Sequence, residues 1–179
     1  PINWPLTATT FYPIGNNIID WVKTAEAEKC ESRNLTNVNA LGFDISYEYR
    51  LQHSFINSIG ANYSFLNLDK KAEGYDSKYA LDYLKHKFVF NLNHAVWSKL
   101  SMNWDLAMFD RSGSYTDFTT NSLTDYAPYW MLNTKLLWKA DKINLFAEVN
   151  NLLNQKYVEF GGIAQPGTNF NLGIRLSLN

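Results

Sequence analysis

The chain has a single cysteine, Cys30, and three scattered histidines, His53, His86 and His94, in 179 residues. One thiol excludes a disulfide framework within the chain and a cysteine-based zinc site. Three histidines without convergent acidic or thiol partners give no metal site to expect. No run of 18 apolar residues exists, so no transmembrane helix is expected. Charge is scarce and balanced: 16 Lys+Arg stand against 17 Asp+Glu, a formal net charge of −1. A general nucleic-acid binder would be strongly basic, and a membrane-surface anchor polybasic. There is no Gly-x-Ser-x-Gly elbow, no His-Glu-x-x-His and no phosphate-binding glycine loop, so neither an enzyme nor a cofactor is expected. The opening Pro1-Ile2-Asn3-Trp4 lacks a basic-then-apolar signal pattern. In an exported protein the signal would lie upstream. Aromatic residues, by contrast, make up 16% of the chain, too many for a disordered segment.

The apolar residues that are present recur with period two. Leu41, Phe43, Ile45, Tyr47 and Tyr49 alternate with Gly42, Asp44, Ser46, Glu48 and Arg50. Such alternation marks a strand with two unlike faces. Comparable stripes are Phe55 to Phe65, Phe88 to Val96, Leu100 to Met108, Leu132 to Trp138, Ile143 to Val149 and Phe170 to Leu178. Leu6 to Trp21 reads as one more, less regular strand, which gives eight strands and no convincing helix. No stripe position is charged, where a random distribution would place roughly six charges. The charges fall on the alternate positions, among them Asp44, Glu48, Arg50, Asp105, Lys135, Glu148 and Arg175.

A soluble binding sandwich and a membrane barrel both produce this alternation. Connection lengths separate them. Tight turns are expected at Arg50–Ser54, Ser98–Lys99 and Ala140–Lys142, and long loops at Val22–Leu35, Asn67–His86, Asp110–Trp130 and Asn151–Thr168. Short and long connections alternate, so all the long loops share one end of the sheet. Outer-membrane barrels are built this way, with periplasmic turns and extracellular loops. Stripes of about ten residues at a ~45° tilt climb roughly 23 Å, close to the apolar band of such barrels. Aromatic residues beside the short turns (Tyr47, Tyr49, Phe55, Trp97, Trp138) suit an interfacial girdle. The expectation is an all-β, antiparallel, up-and-down transmembrane β-barrel whose stripes face outer-membrane lipid. The charged face then looks into a lumen, where Asp44, Glu48, Arg50, Asp105, Glu148 and Arg175 would form a charge network.

The loops carry the candidate binding chemistry. Asp110 to Trp130 is rich in Tyr, Ser, Thr, Asn and Asp, amphipathic rings beside adaptable hydrogen-bonding groups. Candidate ligand-facing residues are Asp110, Arg111, Tyr115, Asp117, Tyr126, Tyr129 and Trp130, with Tyr157 and Gln165 from the last loop. A small-molecule ligand is the expected partner, and nucleic acid is not.

The last 36 residues, from Asn144, hold a specific pattern: Asn151-Leu152-Leu153-Asn154, Tyr157, Pro166-Gly167 and an aromatic-led final strand from Phe170. This resembles the C-terminal end of a TonB-dependent outer-membrane receptor. Asn17-Ile18-Ile19-Asp20-Trp21-Val22 and Asn37 to Asp44 resemble two earlier strands of the same family, and the style is similar to Bacteroidetes receptors, some of which take up cobalamin. The ending Leu178-Asn179 departs from the aromatic terminus common in the family, Leu153 stands for a frequent Phe, and Thr168 for a common Arg. The resemblance implies that residues 1–179 are the C-terminal third of the wall of a larger barrel. It also implies a plug, earlier strands and a TonB-coupling segment elsewhere in the protein, and active uptake of a scarce nutrient such as cobalamin or a siderophore. The competing expectation is a complete eight-stranded outer-membrane barrel with a structural or adhesive role.

Overall fold

A computed structural model describes residues 6–23, 31–52, 54–70, 76–77, 83–117, 119–159 and 162–177. Cys30, His53 and the Leu178-Asn179 ending lie outside the described residues. The elements are β1 (Leu6–Phe11), β2 (Ile14–Lys23), β3 (Glu31–Arg50), β4 (Ile56–Lys70), β5 (Asp76–Ser77) and β6 (Tyr83–Trp97). They continue with β7 (Leu100–Ser112), β8 (Ser114–Asp117), β9 (Ser122–Asp125), β10 (Tyr129–Lys139), β11 (Ile143–Asn150) and β12 (Asn169–Leu176). No helix occurs among the described residues.

β1 and β2 follow one another along the same edge of β3 with no shift of register, from Leu6↔Tyr47 to Val22↔Glu31. They form one strand interrupted at Pro13, which has no N–H to give to a ladder. Its carbonyl still accepts from Ala40 N–H at 3.0 Å. The wall is then eight antiparallel strands in chain order, each paired with its sequence neighbour. The turns at Ser98–Lys99 and 140–142 are short, and the loops at the other end are long, as expected.

The strands run further than the apolar stripes. β3 has 20 residues, and β4 and β6 have 15 each, so much of two expected loops, Val22–Leu35 and Asn67–His86, is paired sheet. Residues 31–40 show no alternation in the sequence, yet the backbone ladder to β2 pairs them as strand. The Asp110–Trp130 loop also contains its own two-stranded hairpin, β8–β9. Gly113, at φ 112°, turns the chain from β7 into it.

Cross-strand register gathers the stripes onto one face. Leu6, Tyr47, Ala61, Phe90, Leu106 and Leu132 form one row across the sheet. Trp97, Leu100, Trp138, Leu145 and Ile174 form another at the short-turn end. Nothing among the described residues covers this face: Leu172 is 83% exposed and Trp97 78%. The opposite face is polar, with rows such as Glu48–Gly60–Asn91–Asp105–Asn133 and Asn93–Asn103–Lys135–Glu148–Asn171. Among the described residues the sheet is a single layer with no sandwich core. Ala40, Ala107, Tyr126, Tyr129 and Asn151 are buried, and Tyr126, Tyr129 and Asn151 mark where the long loops fold onto the wall.

Two glycines are overlaid by the aromatic ring directly opposite. Phe11 lies over Gly42 and Phe146 over Gly173, where a Cβ would meet the ring. The ring supplies the contact that the glycine lacks.

Candidate functional site: a tyrosine pocket at the long-loop end

Asn151 pins the last loop to the wall. Its N–H donates to Asn133 Oδ1 at 2.9 Å, and Leu152 N–H donates to Leu132 O at 2.7 Å. The Asn151 amide spans the loop, donating to Gln155 O at 2.9 Å and accepting from Gln155 N–H at 2.9 Å. Thr168 Oγ1 closes the loop onto Asn151 O at 2.7 Å, and Thr168 N–H donates to Asn154 Oδ1 at 3.2 Å. Asn151 and Asn154 both have positive φ, 52° and 49°, which asparagine tolerates better than other residues with a side chain. A Cβ on Gly167 would collide with Asn154 Oδ1. The Asn-Leu-Leu-Asn and Pro-Gly pieces therefore build one joint. Thr168 makes a joint contact of its own at the position where the resemblance would place Arg.

This joint presents Tyr157 to the wall. The Tyr157 ring stacks on Tyr129 at 4.4 Å between centroids, and Tyr129 stacks on Phe109 at 5.1 Å. The Tyr129 hydroxyl donates to the Glu159 carboxylate at 3.1 Å. Burial, and then the nearby Glu159 charge, push the Tyr157 phenol above its ordinary range, so it remains a neutral hydrogen-bonding group. The hairpin loop adds a second pair: Tyr115 and Tyr126 rings lie 5.0 Å apart, and the Arg111 guanidinium sits 5.7 Å from the Tyr126 centroid.

Between the two loops lies a pocket of about 670 Å³. Tyr115, Tyr126, Tyr129, Tyr157 and Gln165 line it, five of the nine loop residues singled out from the sequence. Gln155 of the last loop lines it too, and Asp125 and Lys156 add polar groups that the sequence reading did not place there. Arg111 stands behind Tyr126. The other three lie elsewhere. Asp117 caps the hairpin turn, accepting from Thr119 N–H at 2.7 Å. Trp130 is opposite Met108 and Asp110 opposite His86, both on the apolar face.

The six charged residues expected in a lumenal network all lie on the polar face, and four of them have a local partner. Arg50 Nε donates to Glu48 at 2.9 Å, Lys135 pairs with Glu148, and Asn91 donates to Asp105. Asp44 stands between Thr9 and Ser64, and Arg175 opposite Asn144. Amide pairs also link strands on this face. Asn57 donates to Asn93 at 2.6 Å, and Asn93 to Asn103. Their signal in the sequence was asparagine at alternate positions. His94, which interrupts an apolar stripe, accepts from the Trp104 indole N–H at 3.2 Å.

No family model matches the chain, and no curated protein does. Solved structures do. The FrpB iron transporter from Neisseria meningitidis (F3-3 variant) matches with a TM-score of 0.66 at 12% identity, over 94% of this chain and 28% of that one. The copper transporter OprC gives 0.72 at 14%, over 97% of this chain and 28% of its own. The ferric-catecholate import receptor Fiu from E. coli K12 gives 0.67 at 16%, over 96% and 25%. The sheet has the fold of a segment of these transporter chains. It spans about a quarter of their length. This is the fold that the resemblance to TonB-dependent receptors implies, a run of antiparallel barrel wall.

Proposed function

We propose that this chain is the C-terminal part of the barrel of an outer-membrane active-transport receptor. It supplies wall strands and ligand-capturing loops for uptake of a scarce nutrient, such as cobalamin, a siderophore or a similar small molecule. The observation that carries the reading is the open sheet. β12 pairs with β11, and β1 and β2 pair with β3, but the two edges do not meet among the described residues. A complete eight-stranded barrel would join them, because an unpaired edge inside a bilayer leaves backbone groups without partners. The bare apolar face supports contact with lipid, and the asparagine-rich face supports a wet lumen. The long loops are then extracellular, the short turns periplasmic, and the tyrosine pocket opens where ligand arrives.

The plug, the remaining strands and TonB are the partners this reading requires. Their chemistry is transport and not catalysis. Energy from the inner membrane, relayed by TonB, would move the plug and release ligand held at the pocket.

Blotting boiled and unboiled outer membranes with an antibody to the Asp110–Trp130 loop tests this. The expected boiled band is several times larger than 20.6 kDa. A band near that mass with a shifted unboiled form would replace the receptor by a small closed barrel.

A further inference from the structure

On the apolar face at the short-turn end, Trp97, Ser98, Lys99, Leu100 and Trp138 enclose a hollow of about 230 Å³. It adjoins, at Leu100 and Trp138, a trough of about 510 Å³ lined by Leu136, Leu145, Ala147, Leu172 and Ile174. The trough has a cause in the sequence. Ala147 is the small residue in the row Met102–Leu136–Ala147–Leu172, so the larger neighbours stand up on either side of it. The two turns at the mouth are tied together by Lys139 N–H donating to Lys99 O at 2.8 Å. They bring Lys99 to the rim, and the second turn carries Lys142 beside Asp141 in the sequence.

We infer that this composite cavity is a binding site for one phospholipid with an anionic headgroup, its phosphate at Lys99 between the Trp97 and Trp138 indoles and one acyl chain in the Ala147 trough. The inference rests on the reading of the apolar face as lipid-facing. Charge complementarity selects the occupant. A trough of hydrocarbon side chains takes an acyl chain, and a cationic rim beside two indoles takes the phosphate at the depth where headgroups lie.

The test uses the full-length protein that contains this chain, extracted from outer membranes in mild detergent. Native mass spectrometry then counts retained phosphatidylglycerol and phosphatidylcholine of the same acyl length. One phosphatidylglycerol per protein is expected, with at least fivefold less phosphatidylcholine. Lys99→Glu is expected to cut phosphatidylglycerol retention at least fivefold. Lys139→Glu, on the polar face of the same strand end, is expected to leave it unchanged. Ala147→Phe fills the trough and is expected to cut retention of both lipids. Heat-modifiable gel migration shows that each variant is folded, with Lys99→Gln and Ala147→Leu as milder replacements. Equal retention by the wild type, Lys99 and Ala147 variants would mean bulk annular lipid only and would overturn the site while leaving the receptor reading in place. Recovery of the protein in the soluble fraction without detergent would overturn both.

Discussion

Asn151 does the most at the residue scale. It is 2% exposed, sits in the left-handed region and joins the wall, the loop start and the loop end with one side chain and its own backbone. Asn151→Ala would lose the amide bonds, leave the Gln155 N–H without its acceptor and put at positive φ a residue that tolerates it less well than asparagine. Together these should cost about 2–4 kcal/mol. Urea unfolding of the intact protein, followed by the shift from compact to extended gel migration, measures the loss. Asn151→Gly keeps the backbone freedom and should lose less. Tyr157 gives a pH signature. Its phenol is raised above the ordinary value of 10.0 when folded, so above that pH the unfolded chain releases a proton that the folded loop retains. Folding is then favoured fully below pH 10 and less as pH rises further. Tyr157→Phe should flatten this alkaline loss. An unchanged profile in that variant would show that Tyr157 does not contribute.

Each wall strand has two faces that should tolerate opposite changes. Leu106 lies in the apolar row between Phe90 and Leu132, and Asn91 lies on the polar face beside Asp105. Leu106→Lys should cost ~2–4 kcal/mol near the membrane midplane and reduce assembly. Asn91→Ser should assemble normally. Normal assembly of Leu106→Lys, scored by heat-modifiable migration, would count against the lipid-facing assignment. The β8–β9 hairpin is a separable element, since its strands pair only with each other. Replacing residues 114–125 by a short Gly-Ser linker should leave wall assembly intact and remove Tyr115 from the pocket. Ligand uptake should fall while folded protein in the membrane does not, and loss of both would make the hairpin a structural part of the wall.

Among the described residues the molecule is a sheet whose two edges do not meet and whose apolar face is uncovered. Backbone donors and acceptors along β12 and along β1 and β2 have no partner strand on their outer side among the described residues, apart from the two-residue β5 beside Val22 and Lys23. Exposed edges template further pairing, and the bare apolar face adds to it. The isolated 179-residue chain, refolded without detergent, should therefore form polydisperse aggregates by light scattering. A stable, detergent-free monomer would defeat the barrel-segment reading. Each fold neighbour aligns over 94–97% of this chain and about a quarter of its own length.

The face of each strand was legible in the sequence because period two is a local property: whichever side excludes charge excludes it residue by residue. The turns at Ser98–Lys99 and Ala140–Lys142 were legible for the same reason, as breaks in the period. How far the strands run was not. Residues 31–40 and 83–87 are held by backbone ladders that make no demand on side-chain pattern. The loop candidates were half legible. Tyrosines in a polar loop announce a binding surface, but the contact of Tyr129 with Glu159 crosses 30 residues and depends on the Asn151 joint. Which of Tyr129 and its sequence neighbour Trp130 turned inward was settled by the register of β10 on β7, which sends Tyr129 to the pocket and Trp130 to the apolar face. The sequence by itself determined an alternating, charge-sorted sheet with long loops at one end, because those features are written in neighbouring residues. The tertiary structure alone decided the pocket, the Ala147 trough and the open edges, because each arises from strands distant in sequence coming to lie side by side.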